Sequence, residues 1–318
     1  MKHTLLLPLL WILLGSIVKA DPVSEYVVID EGSGVFEMRG GLGHEGATIR
    51  VHYYKPANFS PQSPVLIVVA GAGRNGNSYR DSWITPANEH GILVLAPSFT
   101  EEDYDMGDYQ FGGIIRNIEM RNVQIDPGTQ IYRLKDDDVS FRVEKDSRTL
   151  LFHEFDRLFM IAKRATQSDR ADYDIFGHSA GGQILHRFAI FHPHSKAGRI
   201  VAANAGFYTL PTFEVSLPLG LGGTTVQPSD LDAAFAERLI LLLGERDDEN
   251  ETRGIHLRTP LADKQGVGRR ARGQYFFEMA RSIAAQRHVE FKWRMQVVPS
   301  VGHDQKAMSA AAARLLYP

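Results

Sequence analysis

Ser179, Asp247 and His303 are residues whose types and order along the chain suit one chemical task, the transfer of an acyl group. A serine hydroxyl is a poor nucleophile until a base removes its proton. The imidazole that does so needs a carboxylate to hold its tautomer and stabilise its charged form. Ser179 stands in Gly177-His178-Ser179-Ala180-Gly181, after an apolar run (Tyr173-Asp174-Ile175-Phe176) that reads as a strand and before a run from Gln183 to Phe191 that reads as a helix. This is the setting of a G-x-S-x-G nucleophile elbow, in which small flanking residues let the chain bend sharply from strand to helix. Asp247 follows the strand-like Arg238 to Gly244, and His303 lies in the loop after the last strand-like segment, Phe291 to Val298. Serine, acid, histidine is the chain order expected for such an elbow. Asp248 remains an alternative acid, since both aspartates sit in an acidic stretch, Glu245 to Glu251, that by composition alone is a solvated loop.

Acyl transfer also needs preorganised N–H donors for the oxyanion. One is expected from Ala180, the residue after the serine, and a second from the glycine-rich loop Ala70 to Gly76 that follows the apolar run Val65 to Val69. Gly71 to Gly76 also spells G-x-G-x-x-G, a dinucleotide fingerprint. That reading requires an acidic residue about 20 positions on, at the end of the next strand. The next strand ends Leu95-Ala96-Pro97-Ser98, without a carboxylate, and the reading leaves the three catalytic candidates unexplained. A second match, Gly41 to Gly46, precedes a strand rather than a helix and reads as a turn.

The remaining candidates have plain structural readings. His178 lines or supports the elbow, and His186 is a core residue of the following helix. His192 and His194 form an H-x-H pair with no third ligand, so they read as solvent-exposed, and Asp136-Asp137-Asp138 lacks EF-hand spacing and reads as a hairpin tip. No metal and no cofactor is implied.

Positioning these groups calls for a particular set of elements. Val65 to Val69, Ile92 to Pro97, Tyr173 to Phe176, Arg199 to Ala203 and Arg238 to Gly244 are near-continuous apolar runs separated by helical stretches. That pattern predicts an α/β fold with a mostly parallel sheet covered by helices on both faces. Segments 26–38 and 46–55 predict an antiparallel N-terminal hairpin in front of it. Helices are expected over 149–166, 270–286 and 305–316. Two insertions interrupt the alternation: 101–148, with a hairpin expected between 130–133 and 140–143, and 206–228, rich in Gly, Pro and Thr.

The chain has 318 residues, 43% apolar and 23% charged, enough for one α/β domain with a large core. Residues 1–20 read as a secretory signal: Lys2, an apolar stretch from Leu5 to Val18 containing Pro8, and a small-residue site at Val18-Lys19-Ala20. The stretch is too short for a spanning helix. A mature chain beginning near Asp21, secreted or periplasmic and without a membrane anchor, is therefore expected. Loss of Lys2 and Lys19 takes the formal charge from −3 to −5, which argues against nucleic acid as a partner. There are no cysteines, so an exported chain depends on its core rather than on disulfides.

Together, Val69-Ala70-Gly71-Ala72-Gly73-Arg74-Asn75, Gly177 to Gly182, Gly244-Glu245-Arg246-Asp247 and Val301-Gly302-His303-Asp304 resemble the α/β-hydrolase superfamily, in particular secreted esterases similar to polyhydroxybutyrate depolymerases and feruloyl esterases. The resemblance spans about residues 45–318. It implies Ser179 as nucleophile, Asp247 as orienting acid, His303 as base, and an oxyanion hole of Ala72, Gly73 and Ala180. Many relatives carry a histidine where this chain has Ala70. The expected function is hydrolysis of a small-molecule or polymeric carboxylic ester through an acyl-enzyme. A peptidase or amidase using the same triad is the alternative, and a non-catalytic binding protein a more distant one. Tyr208 and Phe213, in the aromatic segment 206–213, are candidate substrate walls; packing into the core is the equally open reading for that segment.

Overall fold

Val65–Val69 is apolar at every position, and a strand can bury such a run only if both sheet faces are covered. In a computed structural model, which describes residues 27–318, both faces are covered. Along the chain run β1 (Gly32–Arg39), β2 (Thr48–Lys55), β3 (Val65–Val69), β4 (Leu93–Ser98), β5 (Ile115–Met120), β6 (Gln124–Ile125), β7 (Ile131–Arg133), β8 (Val139–Val143), β9 (Tyr173–His178), β10 (Ala197–Ala203), β11 (Leu239–Gly244), β12 (His256–Arg258) and β13 (Arg294–Val298). Eight of them form the main sheet, in the order β1-β2-β4-β3-β9-β10-β11-β13. The β1–β2 and β2–β4 pairs are antiparallel and the rest parallel.

The helices are α1 (Gly76–Asp81), α2 (Ile84–His90), α3 (Met106–Phe111), α4 (His153–Thr166), α5 (Ala180–Phe191), α6 (Pro228–Phe235), α7 (Pro260–Asp263), α8 (Arg269–Gln286) and α9 (Gln305–Leu316). Side chains of a strand alternate between faces, and the core divides accordingly. Val65, Ile67 and Val69 pack with Phe155 and Phe159 of α4, Ile184 and Phe188 of α5 and Phe276 of α8. Leu66 and Val68 face the other way, toward Trp83, Ala87 of α2, and Met308 and Ala312 of α9. Burying each such Leu or Val contributes about 1.5–3 kcal/mol, so the two faces together anchor the strand ends that carry the candidate residues.

The expected α/β architecture and parallel core are thus observed, with three local differences. Val27 to Ile29 are irregular, and the leading strand starts at Gly32. Segments 130–133 and 140–143 do not pair with each other. β7 lies between β6 and β12, whereas β8 pairs with β5. Asp136–Asp138 form a single 3-10 turn rather than a hairpin tip. There Asp136 accepts hydrogen bonds from the Thr259 hydroxyl (2.5 Å) and the Leu261 N–H, tying segment 134–139 to α7. A third insertion, 249–268, joins 101–148 and 206–228 in covering the sheet's C-terminal edge. The signal read in residues 1–20 lies outside the described residues. Among the described residues no helix is long and apolar enough to cross a membrane.

Candidate active site

Ser179 occupies a backbone conformation, φ +60° and ψ −116°, that L-residues rarely adopt. The surroundings hold it there: its N–H donates to Ala203 O (2.9 Å), and three glycines let the chains close in. A Cβ at Gly177 would lie 2.4 Å from Gly181 O, at Gly181 2.3 Å from Val69 O, and at Gly182 2.4 Å from Ala203 O. The turn is therefore wedged between β3 and β10, and its glycines are required by backbone contact rather than by flexibility alone. The result is a serine at the C-terminal edge of the sheet, at the start of α5.

His303 Nε2 lies 3.0 Å from Ser179 Oγ, and its Nδ1 lies 2.7 Å from Asp247 Oδ2. A carboxylate is an acceptor only, so Nδ1 carries the proton and Nε2 is free to accept the serine's. Asp247 is fully buried. Its second oxygen accepts from Arg269 Nη1 at 2.8 Å, and that guanidinium is only 1% exposed. Arg269 Nη2 also donates to the carbonyls of Arg253, Gly254 and Ile255, so one side chain fixes both the acid and the loop beyond it. Asp248, the alternative acid, instead accepts from the Asn250 N–H within its own turn. The structure brings Ser179, Asp247 and His303 together and leaves Asp248 apart.

Further residues hold the histidine. The His303 N–H donates to Glu251 Oε2 (2.6 Å), whose carboxylate is paired with Arg253. The Arg253 bonds and the His303 N–H hold the Glu251 carboxyl down at about 2, against the opposing effect of burial. Asn204, buried at the end of β10, accepts from Gly244 N–H (2.8 Å) and donates to Gly302 O (3.1 Å), bracing β11 against the histidine loop. His178 is buried with its ring centroid 4.6 Å from that of His303. Burial first, then the nearby His303, Arg269 and Arg253, push its pKa well below the ordinary value, so it stays neutral.

The glycine loop is anchored just as firmly. The Tyr109 hydroxyl donates to Ala70 O at 2.6 Å. Arg74, at φ +52°, donates to Phe99 O and Thr100 O and stacks 4.5 Å from the Tyr109 ring. With Ala70 in place of a histidine, Tyr109 and Arg74 orient this loop. Ala72, Gly73 and Ala180 all line the cleft at Ser179, whose volume is about 400 Å³. The rest of the lining is largely apolar, with Met106, Met120, Phe207, Ile255 and Leu257 among it, and among the described residues no lysine or arginine contributes.

Two solved structures similar to this chain are hydrolases. Poly(aspartic acid) hydrolase-1 from Sphingomonas sp. KT-1 is 32% identical, with a TM-score of 0.77 over 91% of this chain and 100% of that one. The poly(3-hydroxybutyrate) depolymerase LpqC from Bordetella parapertussis is 30% identical, with a TM-score of 0.76 over 91% of both chains. The chain belongs to the α/β-hydrolase superfamily. FphF, a fluorophosphonate-binding serine hydrolase of Staphylococcus aureus, shares the fold at 14% identity and a TM-score of 0.51, covering 90% of this chain and 97% of that one. No family profile and no curated protein sequence matches the chain.

Within this α/β-hydrolase, two expected substrate contacts are not at the cleft. Tyr208 is fully buried, stacked 4.8 Å from Phe276 in the core, and Phe213 faces a separate surface hollow beside α8. The neighbouring Phe207 lines the cleft instead. In an irregular segment side-chain direction follows no period, so the sequence marked the segment without the residue. His186 is a core residue, as expected. His192 is not solvent-exposed: its Nε2 lies 3.2 Å from Asp156 Oδ2. Among the described residues no cluster of His and acidic side chains suits a metal. Arg269, Asn204, Glu251 and Tyr109 had no sequence signal, since each acts through a partner distant in the chain.

Proposed function

We propose that the protein is an exported serine hydrolase that cleaves carboxylic esters with Ser179 as nucleophile. The observation that carries this reading is the hydrogen-bonded chain Ser179–His303–Asp247–Arg269, with 3.0, 2.7 and 2.8 Å between successive groups. His303 Nε2 takes the hydroxyl proton as Ser179 Oγ bonds to the ester carbonyl carbon. The carbonyl oxygen becomes an oxyanion held by the N–H groups of Ala180 and the Ala72–Gly73 loop. His303 then protonates the departing alkoxide, and water, activated by the same imidazole, releases the acid from the acyl-serine. Asp247 keeps the imidazole oriented throughout. Export rests on the charged start, apolar stretch and small-residue site of residues 1–20.

Amide cleavage is the second reading, favoured by likeness to a hydrolase of poly(aspartic acid), an amide-linked polymer. Each unit of such a polyanion carries a carboxylate, whereas the cleft here is largely apolar and, among the described residues, has no lysine or arginine in its lining, so a neutral ester fits better. Hydrolysis of a 4-nitrophenyl ester and its matched anilide separates the two. Ser179→Ala is expected to abolish turnover, by a factor on the order of 10⁶ in kcat, and to prevent covalent labelling by a fluorophosphonate. Retained turnover or labelling in that variant would remove Ser179 from the mechanism.

A further inference from the structure

A second cavity, of about 530 Å³, adjoins the cleft at Ser179. Met106, Met120, Phe207 and Leu257 line both, so a single layer of apolar side chains divides them. We propose that this cavity is a distal compartment for the apolar chain of a long-chain neutral ester whose carbonyl sits at Ser179. The inference rests on the ester reading above and adds to it a substrate class.

The dividing layer has a fixed part and a movable part. Phe207 is fixed, its ring 5.7 Å from that of Phe111 and 5.2 Å from the Arg187 guanidinium. Met106 and Met120 are unbranched thioethers with several freely turning bonds, and Met120 is 42% exposed, so little packing holds it in one rotamer. Displacing two methionine side chains opens a continuous apolar path from the reacting carbonyl to the far cavity. The far walls, among them Ile118, Phe141, Val215 and Leu219, are also apolar. The carboxylates there are Asp136, Asp137 and Glu214, with no cation lining the cavity among the described residues, so a charged acid or phosphate is repelled and an uncharged chain is favoured. The compartment is assembled from all three insertions, 101–148, 206–228 and 249–268, which explains why their folding together creates a cavity that none forms alone.

Turnover of two ester series, 4-nitrophenyl alkanoates and n-alkyl acetates of two to twelve carbons, tests the proposal. Each methylene that enters the compartment is expected to raise kcat/KM about fourfold, and one of the two series continues to rise beyond butyl or butanoyl. Val215→Trp, which fills the far cavity, and Ile118→Asp, which makes it polar, are expected to lower the ratio of ten-carbon to two-carbon kcat/KM at least tenfold. Thermal melting of each variant checks that it is folded. A profile that is flat or falling beyond four carbons in both series, or a ratio unchanged in both variants, overturns the compartment while leaving the esterase intact. Calorimetric binding of n-alkanols to Ser179→Ala reads the compartment without any chemistry. Affinity that grows with chain length and is lost on adding Val215→Trp supports it even if no ester is cleaved, an outcome that would sink only the ester reading. Alkanol affinity independent of chain length overturns it.

Discussion

The strand-end ledge that holds Ser179, Asp247 and His303 and the cap that roofs it are built on different principles. On the ledge, polar groups are buried and each is tied to another: Asp247 to Arg269 and His303, Asn204 to Gly244 and Gly302. The cap includes strands of two to six residues in two small sheets, with Met120, Val123, Ile125 and Ile255 exposed and the Arg133–Asp126 ion pair open to water. Chemistry that depends on tenths of an ångström sits where water cannot compete, whereas the surface that meets the substrate is thin and apolar. The difference implies that substitutions on the ledge act through buried electrostatics and that removing an exposed charge from the cap is mild.

Among substitutions that set the ledge against the cap, the largest effect is expected from Asp247→Asn, which keeps the shape but allows the imidazole the wrong tautomer. A loss in kcat on the order of 10⁴-fold is predicted in ester assays. Asp248→Asn, one residue along, is expected to retain nearly full activity. Equal losses in the two variants would mean that burial and the Arg269 contact do not select the acid.

Arg269→Met comes next. It removes one partner of a fully buried ion pair and leaves Asp247 with His303 alone, a change expected to cost about 3–5 kcal/mol of stability in denaturant melts. Loss of three carbonyl contacts also releases the 253–255 loop, so kcat is expected to fall with it. A stability change within experimental scatter would show that the pair is dispensable to the ledge.

How far each region was legible follows from the same contrast. The ledge's frame was readable because buried parallel strands are continuous apolar runs, and α9 begins and ends where the sequence places it, Gln305–Leu316. Ser179 and Asp247 were readable because each follows such a strand, and His303 because it follows the last strand, β13, an edge strand whose residues are only partly buried. The cap was not: β7 pairs with β12, more than 120 residues away, and no local pattern encodes that pairing. For this reason 130–133 and 140–143 suggested a hairpin that does not exist, and 249–268 gave no sign of an insertion. Tyr208 and Phe207 are neighbours of the same chemical type, and it is tertiary packing, against Phe276 and His186, that holds the first inward.

A smaller effect, dependent on pH, joins the two regions at Glu251. Its carboxyl is held at about 2 rather than the ordinary 4.5, chiefly by Arg253. A depressed acid stabilises the fold fully above its unfolded pKa, and the contribution is lost as pH falls through the folded value. Glu251→Gln is therefore expected to be less stable than the parent at pH 6, with the gap closing between about pH 4.5 and 2. A gap independent of pH would mean that Glu251 acts by shape rather than charge.

The smallest effect is expected where distances alone would suggest a large one. Arg133 Nε and Nη2 donate to the Asp126 carboxylate at 2.7–2.9 Å, as close as Arg269 is to Asp247. The side chains are 45% and 32% exposed, however, so water and salt solvate each charge nearly as well as its partner does. Arg133→Ala is accordingly expected to leave the melting midpoint and ester turnover unchanged, at low and at high salt. If it destabilised the protein as much as Arg269→Met, contact geometry rather than burial would govern both regions, and the division between ledge and cap would fail.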